Sequence, residues 1–360
     1  MPSGLNLRDD VLNSGVCALC GACLDWCPYI LNLEDHLALR FDCPIQDGRC
    51  YAICPRTFTD WPEMSQKYIG ADNHDQGIGS FKQVYRVKAK AGEKSRQDGG
   101  TVSVLVQSAL NRQNAMAALV TGAHDLEPIP ALAHTAEAVV KSAGSKFLAT
   151  PSLRKIIEAQ NQSLESLLVV GRPCQIQALR KMQHSGYWHN YMGLTSVGLF
   201  CMWSLDWSFK DDLEAKYNSI VKLSIPQHGL EIKTQDQTVL MSTEEVRAYI
   251  RSGCNYCIDM TAELADISVG TFEPEAGWNT VIVRTAKGAA LLEQCRELLD
   301  IEEYPQAEFR RLQNASLTKK KRSLQAIAGA VAAGSLKQGF LDLDHPLYRN
   351  LLNQAEEVQR

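Results

Sequence analysis

The chain has 360 residues, enough for two or three domains, and its 45% hydrophobic and 22% charged residues describe a globular protein with a core. A net charge of −4 gives no overall basicity for holding nucleic acid, and no run reaches the ~18 apolar residues that a membrane helix needs. The opening "MPSGLNLRDD" has neither the basic stretch nor the apolar centre of a secretory signal, so a reducing, cytoplasmic setting is expected, in which the twelve cysteines are not disulfides.

Residues 1–62 hold seven of those cysteines with little periodicity between them, which predicts a small domain whose metal replaces a hydrophobic core. The stretch "CALCGACLDWCP" spaces its thiols as C-x2-C-x2-C-x3-C-P. Three thiols two apart wrap one iron–sulfur cube, and the fourth, before proline, turns to a second cube. A second motif, "CPIQDGRCYAICPRT", supplies Cys43, Cys50 and Cys54. Crossover then assigns Cys17, Cys20, Cys23 and Cys54 to one [4Fe-4S] cluster, and Cys27, Cys43 and Cys50 to another. Position 46, where the ferredoxin pattern would place a further cysteine, is Gln. Gln46, Asp47, a distant residue such as Cys295 or an exogenous ligand would fill that corner, unless the site holds a three-iron cluster. Structural zinc is the competing reading, disfavoured by the Cys-Pro endings and the tandem spacing.

Residues 63–98 read as a polar connector with a strand near "FKQVYRV". From 99 to 305 the pattern is α/β. Apolar runs "AALVTG", "SLLVVG", "TSVGLF", "ADISVG" and "NTVIVRT" predict buried strands, with helices over 102–112, 137–143, 152–163, 175–184 and 286–299. Antiparallel strands are expected in "VKLSIPQHGLEIKTQDQTVLM", and 306–360 reads as an amphipathic helical extension in which "TKKKR" is a solvated helix face.

Cys174 and Cys201 follow apolar runs and are expected at the carboxyl ends of parallel strands, where an open α/β sheet gathers its crevice. Cys254 and Cys257 form a C-x2-C pair, and four thiols converging there would make a third cube; on spacing alone, buried thiols plus a redox or zinc pair fit equally. Cys295, on the apolar side of "ALLEQCRELL", reads as core. Gly99 and Gly100 precede a helix beginning at Thr101, so its free amides and dipole offer a phosphate site, unless the glycines only cap the helix. No G-x-G-x-x-G occurs. Asp259 and Asp266 read as turn caps or as partners of ligand hydroxyls, and Trp278 as core or a ring neighbour.

The segments "SRQDGGTVSVLVQSAL", "VVGRPCQIQALRKM", "VGLFC" and "CNYCIDMTAELADISVGT…GWNTVIVRT", in this order over roughly 80–300, resemble the beta subunit of coenzyme F420-reducing hydrogenase and F420-dependent dehydrogenases. With a two-cluster ferredoxin unit ahead, the chain resembles the F420H2 dehydrogenase input subunit and the formate dehydrogenase beta subunit; plant 7-hydroxymethyl chlorophyll a reductase is a further relative. The resemblance implies a small ferredoxin-like domain (1–62), a mixed α/β flavin-binding domain (99–305) and a helical tail. It implies FAD, with FMN the alternative, and a third [4Fe-4S] cluster on Cys174, Cys201, Cys254 and Cys257. Gly99, Gly100, Thr101, Asp259 and Asp266 are then candidates for holding flavin, and Arg172 and Arg251 for stabilising a reduced ring or cube. The implied partners are coenzyme F420 or another hydride carrier and hydrogenase, dehydrogenase or heterodisulfide-reductase-like subunits, with at most a peripheral place on a membrane complex. The chain departs from the family at "GRP", where many relatives have "GTP", and at "VGTFEPEAGW". Both departures touch the substrate face, so NAD(P)H or ferredoxin with another substrate is the alternative, and a non-catalytic electron-transfer adaptor the second.

Overall fold

The computed structural model describes residues 2–90, 99–188, 193–225, 229–336 and 340–357. Among them, eight strands form one mixed sheet: β1 Gln83–Ala89, β2 Ala117–His124, β3 Glu127–Ala133, β4 Leu167–Gly171, β5 Thr195–Leu199, β6 Ile267–Thr271, β7 Asn279–Val283 and β8 Leu299–Glu303. Their order is β8-β1-β7-β6-β5-β4-β2-β3. The central four, β6, β5, β4 and β2, run parallel, and each flank is antiparallel. Runs such as "LLVVG" and "NTVIV" make these strands because both faces are covered, so alternation with polar residues is absent.

Helices α1 Trp61–Tyr68, α2 Thr101–Asn111, α3 Pro173–His184, α4 Ala286–Gln294, α5 Gln306–Ala332 and α6 Pro346–Glu357 matter most for the site. Two expectations on extent change. Strand β1 lies inside the sheet between β8 and β7, so the sheet unit begins near residue 83 rather than after the connector. Helix α4 ends at Gln294, and Leu299 already belongs to an edge strand. Strands β3 and β8 and the helix Trp207–Lys216 carry too few apolar residues at a regular period to be read from sequence. The expected antiparallel stretch is a three-stranded sheet of Ile220–Ser224, Gly229–Thr234 and Thr238–Ser242.

The N-terminal segment has a hydrophobic core, but not one of its own. Leu7, Val11, Leu19 and Leu24 pack in one cluster with Ile258 and Leu264, and with Leu324, Ile327, Phe340, Tyr348 and Leu351 near and within the last two helices. The "TKKKR" reading is overturned: Lys319 and Lys320 are 2% and 3% exposed. Ser316, Lys319, Lys320, Ser323, Leu324 and Ile327 share the buried stripe of α5 at spacings of three and four, which puts the lysines inside. Among the described residues no helix is long and apolar enough to cross a membrane.

Candidate redox site

The first cysteine loop coils tightly, with Leu19 at φ 48°, Gly21 at 87° and Asp25 at 62° in left-handed backbone. Cys17, Cys20 and Cys23 thereby meet Cys54 around one small apolar cavity of about 20 Å³, walled by Leu7, Val11, Ala22 and Leu37. The Leu19 amide donates to Cys17 Sγ and the Arg56 amide to Cys54 Sγ, each at 3.4 Å, which favours the thiolate. Burial nevertheless pushes Cys20 and Cys23 well up, with Cys54 and Cys20 respectively adding to it, and pushes Cys54 up to about 11 against the pull of Lys181. Thiols so costly to ionise alone are stabilised by a polycationic metal centre, and the donor set fits one.

Cys27, Cys43 and Cys50 form a second group. Burial, then Cys27 and Cys43, push Cys50 up to about 11. Backbone seals the group closely: a Cβ on Gly4 would stand 3.0 Å from Cys43 Sγ. Cys23 feels Cys50, so the two groups are neighbours. Cys295 does not join them. It is fully buried beneath the sheet, its Sγ 4.0 Å from the Val104 carbonyl, which removes it as the missing ligand. Gln46 and Asp47 remain exposed between Cys43 and Cys50.

The third group is assembled from three distant segments. Cys174 sits in the first turn of α3 just beyond β4, Cys201 just beyond β5, and Cys254 and Cys257 on the turn Ser252–Tyr256 and its cap. Cys174 feels Cys257 and Cys254, and Cys201 feels Cys254 and Cys174. The Ser204 amide donates to Cys254 Sγ at 3.4 Å. Cys174 also acts on Cys20, so this group adjoins the first. The two loops interlock: Arg251 Nε donates to the Cys17 carbonyl at 3.1 Å, and a Cβ on Gly253 would stand 2.5 Å from that same oxygen. Arg251 also pairs with Asp206 at 2.9 Å, so it ties loops rather than facing a ligand. Among the described residues no three His, Cys, Asp or Glu side chains gather closely enough to share a single metal ion. A cube spreads its ligands over separate irons and makes no such demand.

Sequence reasoning missed two of the cations here. Lys319 Nζ donates to the Cys201 carbonyl at 2.6 Å and the Asp259 carbonyl at 2.8 Å. Arg56, 4% exposed, donates from Nη2 to Gly253 O at 3.1 Å. Burial raises Cys257, but Lys319 and Arg56 outweigh it and hold that thiol below the ordinary range. Cys201 is still pushed up to about 12 by burial, against Lys319 and Arg172. The signal for Lys319 was its place in the buried stripe of α5.

Beside the third group opens a cavity of about 830 Å³ at the carboxyl ends of β4, β5 and β6, lined among others by Gly100, Thr101, Arg172, Cys201 and Lys146. Gly100, at φ 72°, turns the chain into α2. Arg172 links cavity and sulfurs: it donates to Ser204 Oγ and to the Thr150 carbonyl, and Cys174, Cys201 and Cys254 hold its charge against burial. Lys146 Nζ donates to three carbonyls, and burial pushes it down to about 8.

Four of the candidate residues are engaged by the protein itself, and for Asp259 this is the turn-cap reading. The Thr101 amide and hydroxyl turn to Asn279 Oδ1 at 3.3 Å and Val87 O at 3.4 Å, so the hydroxyl is not a free donor. Gly99 packs on Asn279 and Gly277 behind the cavity wall. Asp259 caps the turn that follows, accepting from the Thr261 and Glu263 amides at 2.9 Å each. Asp266 takes Arg180 at 3.1 Å, Ser196 Oγ at 2.6 Å and Thr285 Oγ1 at 2.8 Å, all buried, with no face toward a ligand. Trp278 lies under Arg86 and Lys88.

Comparison with known proteins matches residues 84–156 to the model for the coenzyme F420 hydrogenase/dehydrogenase beta subunit N-term, and 164–308 to that for its C terminus. The chain is 28% identical over 334 residues to coenzyme F420-dependent sulfite reductase of Methanocaldococcus jannaschii, covering 84% of this chain but only 50% of that protein. It is 29% identical over 274 residues to the coenzyme F420 hydrogenase subunit beta of Methanothermobacter thermautotrophicus, covering 71% of this chain and 98% of the other. A chain of the F420-reducing [NiFe] hydrogenase complex from Methanosarcina barkeri shares the fold, with TM-score 0.69 at 23% identity over 74% of this chain and 98% of its own.

Proposed function

Because the chain belongs to the coenzyme F420 hydrogenase/dehydrogenase beta-subunit family, we propose that it is an oxidoreductase subunit relaying electrons between a two-electron carrier and a one-electron partner protein. The observation that carries this reading is continuity: Cys201 and Arg172 line the cavity, Cys174 of the same group adjoins Cys20 of the first, and Cys23 adjoins Cys50 of the second. In this reading Cys17, Cys20, Cys23 and Cys54 hold one [4Fe-4S] cluster, Cys174, Cys201, Cys254 and Cys257 another, and Cys27, Cys43 and Cys50 three corners of the third. The cavity suits FAD, which accepts two electrons as hydride and releases them singly.

The residues divide the work. Gly100 turns the chain so that α2 opens onto the cavity at Val102 and Ser103, whose amides would take a phosphate, and Arg172 places a fixed cation between cavity and sulfurs. Val106, Val120 and Val269 line the cavity and exclude water from the reacting face. Coenzyme F420 is the proposed hydride partner, as the relatives' names state for them. Arg172 and the stretch Glu273–Trp278, where the chain departs from the family's usual sequence, make NAD(P)H the alternative to be tested.

Anaerobic purification with iron, sulfide and flavin counted per chain tests the reading, with F420H2 and NADH then supplied in parallel. A yellow-brown chain bleached by F420H2 supports it, and selective bleaching by NADH moves the donor. A colourless chain without sulfide or flavin ends the proposal.

A further inference from the structure

We infer that Asp47 is the fourth ligand of the second cysteine group, whose cluster is then held by Cys27, Cys43, Cys50 and one carboxylate oxygen. This rests on the cluster reading above and fills the corner left open there.

The two cysteine loops coincide when their Cys-x3-Cys-Pro endings are set in register. "CGACLDWCP", from Cys20 to Pro28, lies against "DGRCYAICP", from Asp47 to Pro55. Cys23 then matches Cys50, Cys27 matches Cys54 and Gly21 matches Gly48, and Asp47 takes the place of the ligand Cys20. The backbone keeps this register. The Leu24 amide donates to the Gly21 carbonyl at 3.2 Å, and the Tyr51 amide donates to the Gly48 carbonyl at 2.9 Å, so the same tight turn follows both positions. With Cys43 ahead of it, Asp47 completes a set that mirrors Cys17, Cys20 and Cys23 in the first loop, each loop lending its last thiol to the other cluster.

The loops part at the glycine. Gly21 has φ 87° and Cys20 is buried, whereas Gly48 has φ −83° and Asp47 is exposed. A Cβ on Gly48 would stand 3.3 Å from Cys50 Sγ, and Asp47 is joined directly to that glycine. The carboxylates nearest to it are engaged. Asp42, beside Cys43, pairs with Arg8 at 2.7 Å, and Asp10 accepts from the hydroxyl of Tyr51, beside Cys50, at 3.1 Å. Among the described residues Asp47 has no hydrogen-bonding or ion-pair partner of its side chain. Gln46 has no charge to offer a cationic iron. A carboxylate is a harder donor than a thiolate and suits a cluster iron less well, so the iron on Asp47 is the one this cluster gives up first.

The test uses the anaerobic full-length chain, with iron counted and clusters followed by electron paramagnetic resonance, and with Cys43→Ser identifying the second cluster by loss of its signal. Ferricyanide and a chelator are then added. The chelator takes one ferrous ion, ferricyanide takes one electron, and the second cluster shows the signal of a three-iron form. At fixed chelator, Asp47→Ala should lower the share of second cluster that keeps its fourth iron by roughly tenfold or more, and Asp47→Cys should make the cluster resist the same treatment. Gln46→Ala should behave as the unaltered chain. Equal retention in Asp47→Ala and the unaltered chain overturns the inference, as does a loss produced equally by Gln46→Ala, or a second cluster with three irons from the start. If Asp47→Ala loads no second cluster, Asp47→Cys decides, and a cysteine form no more resistant than the unaltered chain overturns the inference. A chain without iron and sulfide refutes the relay itself; a loaded chain indifferent to position 47 refutes only this ligand.

Discussion

Replacing Gly100 probes the cavity at its most exacting point. The residue caps α2 at φ 72°, ψ 4°, a left-handed conformation that a β-branched side chain resists by ~1–3 kcal/mol. A valine relieves the strain by rotating out of that region, which re-aims the first amides of α2. Binding a flavin phosphate must then restore the strained turn, so the penalty falls on affinity. At ~1–3 kcal/mol, flavin binding weakens roughly 5- to 150-fold in Gly100→Val. Gly100→Asn, which tolerates the left-handed region, should stay close to the unaltered chain, with Gly100→Ala between them. The assay is fluorescence titration of the flavin-free chain with FAD, with circular dichroism confirming the fold. Equal affinity for the valine and glycine forms, or an asparagine form as weak as valine, refutes the placement of the phosphate at this turn.

Cys254→Ser should remove the third cluster's signal and stop electron passage between cavity and N-terminal groups while the first group's signal persists; passage at the normal rate in stopped-flow absorbance removes Cys254 from the path. Gly253→Val puts a side chain where even a Cβ would lie 2.5 Å from Cys17 O, so first and third cluster signals should fall together, and loss of the third alone contradicts the interlocked loops. Asp266→Asn strands buried Arg180 and should cost about 3–5 kcal/mol in chemical denaturation. Arg180 and the hydroxyls of Ser196 and Thr285 hold the Asp266 carboxyl below its usual range against burial. Its stabilisation is therefore complete above the unfolded value of about 4 and is lost as pH falls through the lower folded value. The asparagine variant should lack that part of the acid loss, and an unchanged acid profile refutes the assignment.

Much of the layout was legible because its signals are local. The thiols of residues 17–28 and 43–54 sit at fixed short spacings, and a short loop converts spacing directly into shape. The runs "LLVVG", "ISVG" and "NTVIV" announced buried strands because a sheet covered on both faces needs continuous apolar residues. Strands β3 and β8 escaped because edge strands bury little and alternate weakly. Asp259 and Asp266 kept two readings in the sequence because a carboxylate that caps a turn or pairs with an arginine looks there like one that binds a ligand.

By itself the sequence determined the parallel core, the thiol spacings and the glycine turn before α2, all consequences of neighbours along the chain. Tertiary structure alone decided that Cys174, Cys201 and Cys254 meet beside one cavity, that the N-terminal segment shares its core with the last helices, and that Lys319 and Arg56 are buried against sulfur. The reason is physical: a charge's environment is made by residues far away in the chain, and only packing brings them within reach.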